Sequence, residues 1–336
     1  MTFLIRETIT YMIPLMIVAL AGIYAERSGV INLALEGIMI LGAFIGVLMV
    51  NLLQASGTFT KDNAQLLVLL AMGGAALMGA IFSLLLSFAA INLRADQTIG
   101  GTALNMLAPA LVLFLINLIA NQSTLDMAKG DASTWFMLKK TDFGFAADHE
   151  MGFLGSIFLD RIYLSTYICI ALYVILSIIL YRTRFGLRLR ACGENPQAAN
   201  SLGVNVYKMR YIGVSISGAL AGLGGFVFAL TTSNCASNGA VAGFGFLALA
   251  VMIFGNWKPL NTAGAALLFG LFKCVAAAYS SLDINGDGRY LLAELGLNPN
   301  FYRMLPYLIT LIVLSFTSKK SRAPKAEGIP YDKGRR

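Results

Sequence analysis

Apolar and polar positions alternate along the chain in long blocks. Nine apolar runs approach the roughly 20 residues that a bilayer-crossing helix needs. They cover residues 8–25, 37–53, 65–91, 101–120, 162–181, 211–232, 236–255, 262–280 and 302–317. Backbone polar groups in hydrocarbon must be satisfied internally, which favours helices in such runs. The pattern therefore predicts an all-α, polytopic integral membrane helix bundle of about nine spans. A membrane domain occupies 1–317 and a basic tail 318–336. Several runs are short or interrupted by Gly, Pro or polar residues. The stretches 25–36, AERSGVINLALE, and 233–245, SNCASNGAVAGFG, read as partly unwound entries into the membrane.

The longest basic break is 182–210. Arg182, Arg184, Arg188, Arg190, Lys208 and Arg210 stand there against one acid, Glu194. Its middle carries a helix signature. Asn195 is a good N-cap, and Pro196 suits the first helical position because its missing N–H has no partner there. Residues 197–202 can turn about twice, and Gly203 can close the helix in a left-handed conformation. Ala198, Ala199 and Leu202 would share one face. A helix this short is unstable alone in water and needs a surface to dock against.

The basic segments also orient the chain. The tail holds Lys319, Lys320, Arg322, Lys325, Lys333, Arg335 and Arg336 against two acids. By the positive-inside rule both 182–210 and the tail are cytoplasmic. Four predicted spans separate them, an even number, so the two assignments agree. Counting back puts 121–160 outside, 25–36 inside and the N-terminus outside.

Composition narrows the function classes. Only 12% of residues are charged and 57% are hydrophobic, far from the soluble average of about 25% charged. The +8 net charge sits in loops beside apolar runs and reads as a topology signal, with no nucleic-acid partner implied. The four cysteines are scattered, without metal or disulfide spacing. The single His149 lies in a polar loop. No phosphate loop of the GxxxxGK[ST] type is present, so an energy source must lie in a partner or an ion gradient. A gradient-driven carrier would call for a membrane-embedded acid or His relay. The acids near spans, Glu7, Glu26, Glu36 and Asp96, sit at span ends. An intramembrane enzyme would need a paired nucleophile and base, and none is visible.

Polar residues inside the apolar runs are the candidates for a transport path: Asn32, Glu36, Asn105, Asn234 and Lys273. Each has an alternative reading, as a bridge between helices for the amides or as a snorkelling side chain for the lysine. The cluster Gly218, Gly222, Gly224 and Gly225 suggests close helix packing. Asn32–Gly42 faintly echoes Phe246–Gly255 once one residue is skipped. An inverted repeat would account for the echo, and so would a chance match. Asp283–Glu294 fits the D-x-[DN]-x-[DN]-G-x5-E calcium loop. A structural Ca²⁺ there and a metal-free turn both remain open, and no metal site is assigned.

Four stretches carry a family likeness. Glu26–Gly37, Arg94–Gly101, Leu189–Ala199 and Gly245–Pro259 resemble, in order, bacterial ABC-importer permeases of the nucleoside/simple-sugar branch, which is related to the ribose and branched-chain amino-acid permeases. The resemblance implies a permease subunit of the bacterial cytoplasmic (inner) membrane that moves nucleosides, or alternatively simple sugars, by alternating access. It implies an ATP-binding subunit, which carries ATP and Mg²⁺, a second, related permease and an extracytoplasmic substrate-binding protein. The chain itself would bind no cofactor. In such permeases a short cytoplasmic helix couples to the ATPase. Here that is Gly193 to Gly203, with Glu194, Asn195, Pro196, Ala198 and Ala199 inside it and Arg188 and Arg190 beside it. The 121–160 loop is longer and more polar than the likeness leads one to expect.

Overall fold

A computed structural model of the protein describes residues 2–127, 135–146, 152–278, 298–317 and 323–333. The calcium-like stretch 283–294 and His149 lie outside the described residues. Twelve α-helices are described: α1 (Thr2–Arg27), α2 (Leu35–Ala55), α3 (Ala64–Ser87), α4 (Gln97–Ala120), α5 (Phe153–Phe158), α6 (Leu164–Arg182), α7 (Arg184–Glu194), α8 (Pro196–Ser201), α9 (Val206–Thr231), α10 (Phe244–Phe254), α11 (Pro259–Ala278) and α12 (Pro299–Thr317). Helix α3 runs on into a π-helical turn, Phe88–Asn92.

Among the described residues, seven helices are long and apolar enough to cross a membrane: α1, α2, α3 with its flanking turns, α4, α6, α9 and α11. The predicted run 302–317 falls within α12. The run 236–255 is the correction. Its helix, α10, has only 11 residues, which is about 16 Å at 1.5 Å per residue, too short to span. Residues 240–243 precede it without regular structure, and Gly239, Ala242 and Gly243 have positive φ. The chain thus returns to the basic end through an irregular segment and a half-helix, and the even parity survives.

Helices α1 and α9 form the dry centre. In each, 78% of the apolar window is buried, against 22% in α4. Helix α9 packs against α1, α2 and α3. Its glycines set the spacing. A Cβ at Gly225 would lie 2.0 Å from the Met39 carbonyl oxygen of α2. One at Gly218 would lie 2.4 Å from the Gly79 carbonyl oxygen of α3. Lipid offers no hydrophobic drive between helices, so such close backbone approach supplies the packing. The glycine cluster therefore works inside the bundle.

The two ends of the bundle differ. At one end, strand β1 (Leu125–Asp126) pairs antiparallel with β4 (Ala236–Ser237), and β2 (Met137–Leu138) with β3 (Ile162–Tyr163). The other end collects the basic segments: the Arg27–Glu194 ion pair at 3.2 Å, α7, α8 and the tail. The tail folds back onto this surface, where the Ala326 N–H donates to the Gly193 carbonyl at 2.8 Å. The basic loop and the tail therefore share one end, as the charge pattern predicts.

Candidate functional site

Two regions gather the predicted functional residues. The first is the projection at the basic end. The sequence reads 182–210 as a basic loop around one short helix, but residues 184–194 of it fold as a further helix, amphipathic α7. The Thr183 hydroxyl caps α7 by accepting from the Gly186 N–H. Arg190 lies over the Tyr181 ring, 4.7 Å from its centroid, while Arg188 is exposed. Helix α8 forms as the capping signals require. Asn195 Oδ1 accepts from the Ala198 N–H at 3.0 Å, and Pro196 starts the helix. Gly203 ends it with φ +81°, donating to the Asn200 carbonyl.

The expected docking face divides. Ala199 is 3% exposed and packs into this chain's own core, whereas Leu202 is 85% exposed. Ala198 is also open. The physical reason is that α8 lies along α7 and α9, so one side of its single apolar stripe is already used. Ala199 anchors the projection; Ala198 and Leu202 remain for a partner. Gly193 sits against the end of α1, where a Cβ would meet the Arg27 carbonyl oxygen at 2.4 Å. Burial pushes the neighbouring Cys192 thiol up to about 11, so it stays protonated and inert.

The second region is where the two irregular entries meet. Residues 28–34 lead into α2, and 240–243 lead into α10. Glu36, in the first turn of α2, reaches across to the start of α10. Its Oε1 accepts from the Gly243 N–H at 2.9 Å, and its Oε2 from the Gly245 N–H at 2.6 Å. A carboxylate at a helix N-terminus satisfies otherwise orphan donors and meets the positive end of the dipole. Asn105 of α4 does the matching work for α2. It accepts from the Gly37 N–H at 2.8 Å and donates to the Leu33 carbonyl at 2.7 Å. Asn32 is fully buried, donates to the Ser217 hydroxyl at 2.9 Å and accepts from the Ala34 N–H at 3.1 Å.

Lys273 completes this junction. Its Nζ donates to the Ala242 carbonyl at 3.3 Å and lies 4.8 Å from the Phe244 ring centroid and 5.4 Å from that of Tyr307. The structure thus joins Glu36, Asn105 and Lys273 around one broken-helix junction, with Asn32 four residues before Glu36. Asn234 stands apart. It is exposed in a left-handed turn (φ 51°) beside β4, at the opposite end. Phe244 and Tyr307 were missed by sequence reasoning, since an aromatic in an apolar run carries no signal of its own. Pro306, beside Tyr307, was the available hint of an irregularity.

Long central helices, two interrupted entries meeting inside the bundle and a projecting two-helix element at its basic end define a multi-pass membrane permease. Residues 4–314 match the family described as "Branched-chain amino acid transport system / permease component", and the chain belongs to that family. It is 40% identical to the guanosine ABC transporter permease protein NupQ of Bacillus subtilis, over 100% of this chain and 98% of the relative. It is 37% identical to the nucleoside ABC transporter permease protein NupC of Lactococcus lactis, over 99% and 97%. A more distant match is the guanosine ABC transporter permease protein NupP of Bacillus subtilis, 27% identical over 81% and 73%. The chain is a permease subunit of the ABC-transporter kind, a transport component and not an enzyme.

Proposed function

We propose that this chain is one of two related permease subunits of an ATP-driven nucleoside importer in the bacterial cytoplasmic membrane. The observation that carries the reading is the end-to-end match to two permeases named for guanosine and nucleoside transport. Similarity to both NupQ and NupP, from one organism, supports pairing with a second permease. The basic end faces the cytoplasm, and α7–α8 docks on the ATP-binding subunit through Ala198, Leu202 and the flanking Arg188. A substrate-binding protein delivers cargo at the opposite face, where the N-terminus lies.

The junction of Glu36, Lys273, Phe244 and Tyr307 forms part of the path. Asn32 and Asn105 hold the backbone of its walls. Aromatic faces stack on nucleobases, and the ammonium and carboxylate offer polar contacts to a neutral heterocycle. The test is uptake of labelled guanosine into vesicles holding this chain, its partner permease, the ATPase and the binding protein. ATP-dependent uptake is expected. Uptake that persists without ATP and collapses with an uncoupler would overturn the importer reading. ATP-driven uptake of ribose in place of guanosine would overturn the cargo.

A further inference from the structure

The tail carries more structure than a charge-based topology signal requires. Residues 323–333 cross the basic end as a strap with a turn at 325–328, with Pro324, Ala326 and Tyr331 buried. The strap is tied to four separate elements. Its Ala326 N–H donates to the Gly193 carbonyl at the end of α7, at 2.8 Å. Its Asp332 carbonyl accepts from Gln197 Nε2 of α8 at 2.8 Å, and the Asp332 carboxylate pairs with Arg94 at 3.1 Å. Its Ile329 carbonyl accepts from Arg210 Nη1 of α9 at 3.0 Å. Tyr331 packs edge-on against Tyr207, with ring centroids 5.1 Å apart. Arg210 is 1% exposed, a guanidinium sealed in by this contact.

The strap's anchor also lies beside the half-helix's support. Gly193, whose carbonyl holds the strap, abuts the Arg27 and Glu26 carbonyls at the end of α1, and the Glu26 side chain accepts from the indole N–H of Trp257. Trp257 is buried at the exit of α10 with φ 55°, and its carbonyl accepts from the Tyr181 hydroxyl at 2.8 Å. A non-glycine residue at positive φ is held there by its surroundings. Helix α10 is therefore gripped at both ends: by Glu36 at its start, and at its exit by Trp257 and Glu26, next to the Gly193 anchor of the strap.

We propose that residues 323–333 are a second coupling element, which carries displacement of α7–α8 to the half-helix α10. The inference rests on the reading of α8 as the ATPase contact and adds the route by which its motion reaches the path. Helix α8 is six residues long, joins α7 through Asn195 alone and has Ala199 as its own anchor in the core; the strap gives the projection a second attachment. The strap bonds it to the same surface that holds Trp257, so the two move as one body, and it stays bound through the transport cycle.

The test uses the assembled transporter in vesicles. Deleting 323–336 leaves the ATPase bound and hydrolysing, because α8 and Leu202 remain. Guanosine taken up per ATP hydrolysed falls about fivefold or more, the range of an ordinary coupling free energy. Unchanged uptake per ATP in the truncated transporter would overturn the proposal. Loss of ATPase association would overturn it too, by making the strap a docking surface. The second arm locks the strap in place. Arg94→Cys with Asp332→Cys, joined by a short thiol-reactive cross-linker, retains ATP-driven uptake if the strap stays docked. Uptake blocked by the cross-link would show a latch that must release, and the proposal would fail. Absence of guanosine uptake by the wild-type transporter would instead refute the cargo reading, a separate result.

Discussion

Single atoms set the tolerances of this bundle. Gly225 leaves no room for a methyl group against Met39 of α2. Gly225→Ala must push α2 and α9 apart, and overpacking of this kind costs about 1–3 kcal/mol. A lowered melting temperature of the purified permease in detergent is the expected outcome; an unchanged one would show that α2 shifts freely. Glu36 is the second sensitive point. Glu36→Ala leaves the N–H groups of Gly243 and Gly245 without their acceptor, at a cost of about 1–3 kcal/mol for a buried donor. Glu36→Gln keeps one acceptor oxygen and should recover part of the loss. Thermal unfolding of the two variants side by side checks the order wild type, Gln, Ala. The sequence marked Glu36 and Asn105 as polar intruders but not what they do. The backbone groups that they satisfy belong to other segments, and only the fold brings those near.

Among the elements, α8 shows how far local signals reach. Asn195, Pro196 and Gly203 fixed its start and stop because caps are local chemistry. Which alanine faces outward was not legible, since that depends on where α7 and α9 lie. The distinction is testable. Leu202→Glu alters an 85% exposed side chain, so the stability of the isolated permease should stay within about 0.5 kcal/mol, while ATPase co-purification falls. Ala199→Glu places a carboxylate in a packed interface and should lower both. If Leu202→Glu co-purifies normally, the exposed face is not the contact. The apolar run 236–255 misled for a related reason. Hydropathy measures burial in an apolar medium, and a half-helix inside protein scores like a span in lipid. The glycines and asparagines of 233–245 carried the break, and their positive-φ turns realise it.

At the scale of the whole molecule, charge pattern and parity located the tail, while its docking could not be read from composition. Burial raises the Glu327 carboxyl above its ordinary value, against the downward pull of the Glu26 hydrogen bond and the Arg27 charge. A group whose folded pKa lies above its unfolded value stabilises fully below the unfolded value and loses that contribution as pH rises through the folded one. The strap should therefore bind more tightly in acid. Hydrogen exchange at the Ala326 amide, corrected for intrinsic rates, should speed up as pH rises above the ordinary carboxylate range and the strap loosens. Glu327→Gln should flatten that dependence. Exchange that is already pH-independent in the wild type would place the proton elsewhere.

The buried pairing of α1 with helices from the far half of the chain has a consequence for synthesis. Helix α1 packs against α9, α10 and α11, none of which exists when it leaves the ribosome. At about 5–20 residues per second, α11 follows roughly 10–50 s later. For that interval one of the two most buried spans among the described residues must wait in lipid or beside the insertion machinery, with Pro14 and Glu26 unshielded. A ribosome stalled before α11 should leave α1 extractable or protease-sensitive. The molecule is sealed late, by its last third closing over its first helix.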